Sequence, residues 1–251
     1  MKNLNCFLLF LGRGRSGSSL CGGLISTHPN VILAHEKEFK NFEFDDEKEL
    51  YQMLFDATNQ KQFIWKPLRE LSTWRDMKKY NDIRVIGTKK QGTLIKTIGD
   101  FSKLENLKSK LSIPVKFINI YRNPFDNIST IYNKSQWTKH VKRGTNMKSI
   151  DKAISYYFTG IKMTQEVINR EITLNIKHEN VVTNTGYVIE EICSFLNIPI
   201  IEDHVKFCEM LVWDIPRTTR DSICWSEENI SRVVELKNNY DFLKEYEWES
   251  L

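Results

Sequence analysis

The sequence predicts an α/β fold: a P-loop-type, mainly parallel sheet flanked by helices, built as a single domain over residues 1–251. Three observations predict it. Short apolar runs rich in Val, Ile, Leu and Phe alternate with longer amphipathic stretches, the pattern of βαβ units. A glycine-rich loop stands between the first apolar run and the first helical stretch. No internal repeat or low-complexity linker divides the chain.

Residues 5–11 read as a buried strand, because Cys6-Phe7-Leu8-Leu9-Phe10-Leu11 is apolar throughout. The run is too short for a secretory leader, and a glycine- and arginine-rich loop follows it instead of a small-residue cleavage site. Residues 12–17 form that loop, and residues 18–27 a helix ended by His28-Pro29-Asn30. Val31-Ile32-Leu33-Ala34 is a second strand and Arg84-Val85-Ile86-Gly87 a third. Residues 45–80 are polar and aromatic, read as helices and loops over a site, and 91–111 read as helical. Val115–Tyr121 alternates as a strand does, and a helix over 124–133 starts at Pro124, where proline suits the first turn. Residues 148–171, 186–197 and 226–239 read as amphipathic helices, the last with Ser226 as N-cap.

Composition narrows the function classes. Hydrophobic residues at 41% support a large core, and no stretch approaches the roughly 18 apolar residues that span a bilayer. A net charge of +4 is too weak to point to nucleic acid, yet it suits a pocket that collects a small anion. The five cysteines, Cys6, Cys21, Cys193, Cys208 and Cys224, are scattered and include no C-x-x-C pair. They argue for reduced thiols in a cytoplasm, and against a disulfide framework or a zinc site.

Two motifs carry chemistry, and parallel sheets bind ligands where both sit, at the carboxyl ends of strands. The first is Gly12-Arg13-Gly14-Arg15-Ser16-Gly17-Ser18-Ser19. Its outer glycines have phosphate-loop spacing, and backbone N–H groups at such a strand–loop–helix junction converge on an anion. Ser18 stands where an ATPase carries its lysine, so the loop does not suit a magnesium–triphosphate. Its positive charge lies at Arg13 and Arg15 instead. The second motif places Arg122 at the end of the strand over 115–121, with Ser129 and Thr130 about two turns into the next helix. An arginine fork and a hydroxyl make a second, separate phosphate site.

These residues resemble the sulfotransferase superfamily that uses 3′-phosphoadenosine 5′-phosphosulfate. Arg15-Ser16-Gly17-Ser18-Ser19-Leu20 resembles its 5′-phosphosulfate loop, and Arg122 with Thr130, or Ser129, resembles its 3′-phosphate site. His28-Pro29-Asn30-Val31 through His35-Glu36 resembles the bacterial, carbohydrate and tyrosylprotein branches, which take an acidic residue soon after the loop as base. Lys177-His178-Glu179-Asn180-Val181 resembles a family segment near the tail of the sheet. Two departures stand out. The cytosolic small-molecule branch has a Lys-Thr-His sequence where this chain has Gly87-Thr88-Lys89, and its C-terminal Arg-Lys-Gly is missing here. Arg217, Arg220 and Trp225 occupy the region that substitutes for the latter.

The resemblance implies sulfuryl transfer from that donor, with adenosine 3′,5′-bisphosphate as product, to a hydroxyl or amine of a small-molecule acceptor, natural-product tailoring included. It implies Glu36 as base with His35 as competitor, and charge stabilisation by Arg15 and by Lys89 or Lys90. Donor binding falls to Arg13, Gly14, Arg15, Ser16, Gly17, Ser18, Ser19, Arg122, Ser129 and Thr130. No metal is required, and neither a nucleic-acid nor a membrane partner is expected. Trp65, Trp74 and Trp137 are candidates for an acceptor pocket. The alternative reading is a nucleotide or small-molecule kinase, which shares a sheet and a phosphate loop.

Overall fold

The apolar runs pair into one sheet. The computed structural model describes residues 3–35, 44–58, 82–89, 101–137, 149–212 and 215–248. Its strands are β1 (Cys6–Leu11), β2 (Val31–His35), β3 (Val85–Lys89), β4 (Val115–Tyr121) and β5 (Thr173–Lys177), in the order β2-β3-β1-β4-β5. Every pairing is parallel, including Leu9 with Thr88 and Leu9 with Phe117 on either side of β1. Successive side chains of a strand point to opposite faces. Cys6, Leu8 and Phe10 therefore enter one core, and Phe7, Leu9 and Leu11 another across the sheet. Covering both faces requires the continuous apolar run that β1 shows.

The helices follow as α1 (Ser18–Ile25), α2 (Glu47–Thr58), α3 (Phe101–Ser109), α4 (Pro124–Trp137), α5 (Ile150–Ile168), α6 (His178–Thr183), α7 (Thr185–Leu196), α8 (Glu202–Met210) and α9 (Glu227–Lys237). The helix expected over 91–111 is described from Phe101. Helix α4 begins at Pro124 as predicted, with the Asn123 side chain accepting the Phe125 N–H at 3.0 Å. Ser226 caps α9 as predicted, accepting the Asn229 N–H at 3.2 Å. The structure adds β5, where the amphipathic stretch ends at Ile168 and the chain turns back to pair with β4. The pairing sets Tyr121 opposite Lys177, so the residues after β5 lie beside those after β4.

A third cluster holds α4 and α5 against the C-terminal region through Phe125, Ile128, Tyr157, Val233 and Tyr246. The five cysteines are free, four of them buried, and burial pushes the Cys6 and Cys193 thiols up to about 11. Among the described residues no helix is long and apolar enough to cross a membrane.

Candidate active site

One cavity of about 390 Å³ opens at the carboxyl end of the sheet, a size suited to a small organic ligand. Arg15, Lys89, Arg122 and Lys134 line it, and no carboxylate does among the described residues. Four cations in a concave wall give it a field for a polyanion.

Its first end is backbone. Gly17 caps α1 with φ +96°, the left-handed region that favours glycine, and a Cβ there would collide with Nδ1 of His178. The first N–H groups of a helix have no partner within it. Here Ser18 and Ser19 at that start line the cavity, and the first turn holds no acidic residue to compete for an anion. Lys89 reaches in from the end of β3 and donates from Nζ to Ser19 Oγ at 2.7 Å. Gly14 is tied to α4, since Asn127 Nδ2 donates to its carbonyl at 2.9 Å.

The other end is made of side chains. Arg122 is buried at the end of β4 and donates from Nη2 to the Arg217 carbonyl. Burial lowers its pKa from the ordinary arginine value, and the Asp126 and Glu179 charges oppose that. Thr130 donates to the Asp126 carbonyl at 2.9 Å and meets Thr219 Oγ1 at 3.0 Å. Asp126 in turn holds the C-terminal region. Its Oδ1 accepts the N–H groups of Thr219 and Arg220 at 2.5 and 2.8 Å, and Oδ2 pairs with Arg220 Nη2 at 2.8 Å. Both partners are buried, at 3% and 6% side-chain exposure, so neither charge is satisfied by water.

His178 lies immediately after β5 and packs against Gly17 of the cradle. It lines the cavity, and its buried Nδ1 has no hydrogen-bond partner among the described residues. Burial first, and the Arg122 charge second, lower its pKa to about 4, so the ring is neutral near pH 7. That nitrogen faces Gly17, so the ring and the glycine cap of the cradle fix each other's position. The neighbouring Glu179 is a brace. Its Oε1 accepts the Asn123 N–H at 3.1 Å and its Oε2 accepts the Tyr246 hydroxyl at 2.5 Å.

The predicted binding residues divide on inspection. Gly14, Arg15, Gly17, Ser18, Ser19, Lys89, Arg122 and Thr130 line the cavity. Arg13 does not: its guanidinium lies 4.3 Å from the Tyr156 ring centroid and donates to the Tyr156 carbonyl at 3.1 Å, clamping the loop to α5. Ser16 is buried within the loop turn, its N–H bonded to the Arg13 carbonyl at 3.1 Å. Ser129 is fully buried and donates to the Phe125 carbonyl at 2.8 Å, which leaves Thr130 as the cavity hydroxyl of the two. His35 is buried with Nε2 near Gly22 of α1 and does not line the cavity. Of the residues expected to substitute for the missing tripeptide, Arg220 serves Asp126, and Trp225 donates to the Arg220 carbonyl at 3.0 Å. Glu36, Lys90, Trp65 and Trp74 lie outside the described residues, as does the Trp137 side chain. Sequence reasoning missed Lys134 and His178 as cavity residues. Helical spacing of four from Thr130 signals the first, and the position just after a strand signals the second.

A family model described as the sulfotransferase family matches residues 8–203, more than three quarters of the chain. No curated protein matches the sequence. Among solved structures, the chain is similar to the sulfotransferase domain of the Synechococcus PCC 7002 olefin synthase, with 15% identity, TM-score 0.55, and 96% of this chain and 97% of that one covered. A sulfotransferase from Mycobacterium avium gives 9% identity and TM-score 0.56 over 95% of this chain and 77% of that one. One from Alicyclobacillus acidocaldarius gives 14% and 0.50 over 96% and 94%.

Proposed function

Because the chain belongs to the sulfotransferase family, we propose that it moves the sulfuryl group of 3′-phosphoadenosine 5′-phosphosulfate to a hydroxyl or amine of a small-molecule acceptor, natural-product precursors included. One observation carries the choice of donor. A single cavity is lined both by the helix start at Gly17–Ser19 and by Arg122 and Thr130, which supports reading a backbone cradle and a side-chain site for two anionic groups. A ligand with a phosphosulfate at one end and a phosphate monoester at the other fits both. His178 lines the same cavity, with its Nδ1 packed against Gly17 of the cradle.

In this scheme the acceptor oxygen or nitrogen attacks sulfur, and the bond from sulfur to the bridging oxygen of the 5′-phosphate breaks. The electron pair stays on the departing phosphate, and the acceptor proton passes to Glu36. Arg15, Lys89 and the first N–H groups of α1 meet the charge that develops on the sulfuryl and bridging oxygens, each worth about 2–4 kcal/mol of barrier. Ser19 keeps the Lys89 ammonium at the cradle. The protein's own cations balance the charge, and the scheme uses no metal. Buried free thiols support a reducing, cytoplasmic setting.

Calorimetric titration without magnesium tests the reading. Adenosine 3′,5′-bisphosphate should bind with micromolar affinity and ADP much more weakly. Arg122→Ala should weaken the bisphosphate by about 100-fold, the loss of a charge-assisted pair. Glu36→Gln should bind normally and transfer nothing. Equal binding of both nucleotides, or tight magnesium–ATP with no bisphosphate binding, would replace this reading with the kinase.

A further inference from the structure

The loop between β1 and α1 turns sharply over Arg13-Gly14-Arg15-Ser16. The Ser16 N–H donates to the Arg13 carbonyl at 3.1 Å and closes a four-residue turn. Its third residue, Arg15, has φ +75°, while Gly14 before it keeps φ out of the positive range. Those are the signs of a type II turn, which favours glycine or asparagine in the third place. An arginine there is strained and stays only where its surroundings hold it. Turning over the peptide between Gly14 and Arg15 converts the turn to type I, in which both φ are negative. That flip relieves the strain and re-aims the Arg15 side chain, which now lines the cavity.

Two contacts oppose the flip. Asn127, buried on α4, donates from Nδ2 to the Gly14 carbonyl at 2.9 Å, the carbonyl of the peptide that would turn over. Arg13 fastens the first residue of the turn to α5. Its guanidinium is buried against the Tyr156 ring and donates from Nη2 to the Tyr156 carbonyl at 3.1 Å. Gly160, one helical turn on, leaves the room for it, since a Cβ there would collide with Nη1 of Arg13. Glycine weakens a helix interior, and the Arg13 Nε has no hydrogen-bond partner among the described residues. An apolar side chain would anchor the loop with less desolvation. What the guanidinium adds is direction: a planar group set between a ring and a carbonyl fixes how the turn is oriented.

We propose that Arg13, seated in the Gly160 notch of α5, is a positioning residue for sulfuryl transfer that holds the turn with Arg15 facing the cavity. The proposal rests on the donor reading given above. Arg13 does not line the cavity, so it acts through Arg15. The two arginines of the loop divide the work, one gripping the scaffold and the other meeting the 5′ end of the donor.

The test titrates the intact protein and its variants with three nucleotides. They are adenosine 3′,5′-bisphosphate, AMP (which lacks the 3′-phosphate) and adenosine 3′-monophosphate (which lacks the 5′-phosphate). Arg13→Ala should raise the Kd of the first two about tenfold and leave that of the third within about twofold. Gly160→Ala should do the same, because it evicts the guanidinium while giving α5 a better helix former. On the Arg13→Ala background, Gly160→Ala should leave every Kd unchanged and raise Tm. Arg15→Gly, which takes the positive φ without strain, should itself cost about tenfold, and Arg13→Ala should then cost nothing further. Losses that extend to the 3′-monophosphate, an Arg13→Ala loss that recurs undiminished on the Arg15→Gly background, or a lowered Tm at unchanged affinities would each overturn the proposal. Should Arg13→Ala fail to fold, Gly160→Ala decides alone. A parent protein that does not prefer the bisphosphate to ADP defeats the donor reading and this proposal with it. A parent with that preference whose affinities ignore Gly160→Ala defeats only the role of Arg13.

Discussion

The two ends of the cavity are built by opposite means. The cradle is local: one glycine cap and the first N–H groups of α1 supply it within a few residues of β1. The Arg122 end is assembled over long separations, with Arg122 and Arg217 95 residues apart and Asp126 and Arg220 94 apart. A backbone cradle needs only the right φ at the right position. A side-chain subsite needs its fork and hydroxyl held in place, and here a buried ion pair and the C-terminal region hold them. The cradle should therefore fail through geometry at one residue, and the far end through its supports.

Gly17→Ala should have the largest effect. The substitution asks an L side chain to accept φ +96° and to displace the His178 ring. Binding of the bisphosphate and of AMP should both fall below detection in calorimetry, with the far-UV circular dichroism of the sheet preserved. Loss of the bisphosphate alone would break the comparison, because it would show the cradle serving the far end. Asp126→Ala comes next. It strands a buried guanidinium, which costs about 3–5 kcal/mol of stability in urea unfolding. At temperatures where the variant is folded, AMP should bind nearly as in the parent and the preference for the bisphosphate should shrink. If AMP binding fell equally, the support would belong to the whole cavity.

The same contrast explains what was legible in the sequence. Strands β1 to β4 were legible because runs such as Cys6–Leu11 are apolar on both faces. The cradle was legible because glycine spacing encodes a backbone conformation directly. Strand β5 was not: Thr-Leu-Asn-Ile-Lys lies at the sheet edge and buries only Ile176, so it has neither an apolar run nor a clean alternation. Missing β5 hides His178, since its place beside Arg122 follows only from the pairing with β4. Asp126 carries no motif in the sequence, and its pairing with Arg220 is invisible without the fold. Choosing between Ser129 and Thr130, or between Arg13 and Arg15, needs the phase of each side chain about the cavity. One residue of register decides that, and composition does not record it.

His178 packs against the Gly17 cradle and feels the Arg122 charge of the other end, and its titration gives the smallest and most specific test. Its pKa falls from 6.5 to about 4, first through burial and then through the Arg122 charge, with Asp126 opposing. The folded protein thus binds this proton less readily than the unfolded chain. Stability should rise with pH between about 4 and 6.5 and be lost as pH falls through the same window, on the order of 3 kcal/mol from this group. Urea midpoints measured across that window should flatten in His178→Gln relative to the parent. The difference between the two proteins isolates this ring from carboxylates titrating nearby. A bound anion at both ends of the cavity opposes the effect of Arg122 and favours the imidazolium. Saturating adenosine 3′,5′-bisphosphate should then weaken the parent's slope and leave that of His178→Gln unchanged. If the ligand leaves the parent's slope intact, His178 senses the protein's own charges alone, and the two ends are linked through Asn127 and the α4 helix instead.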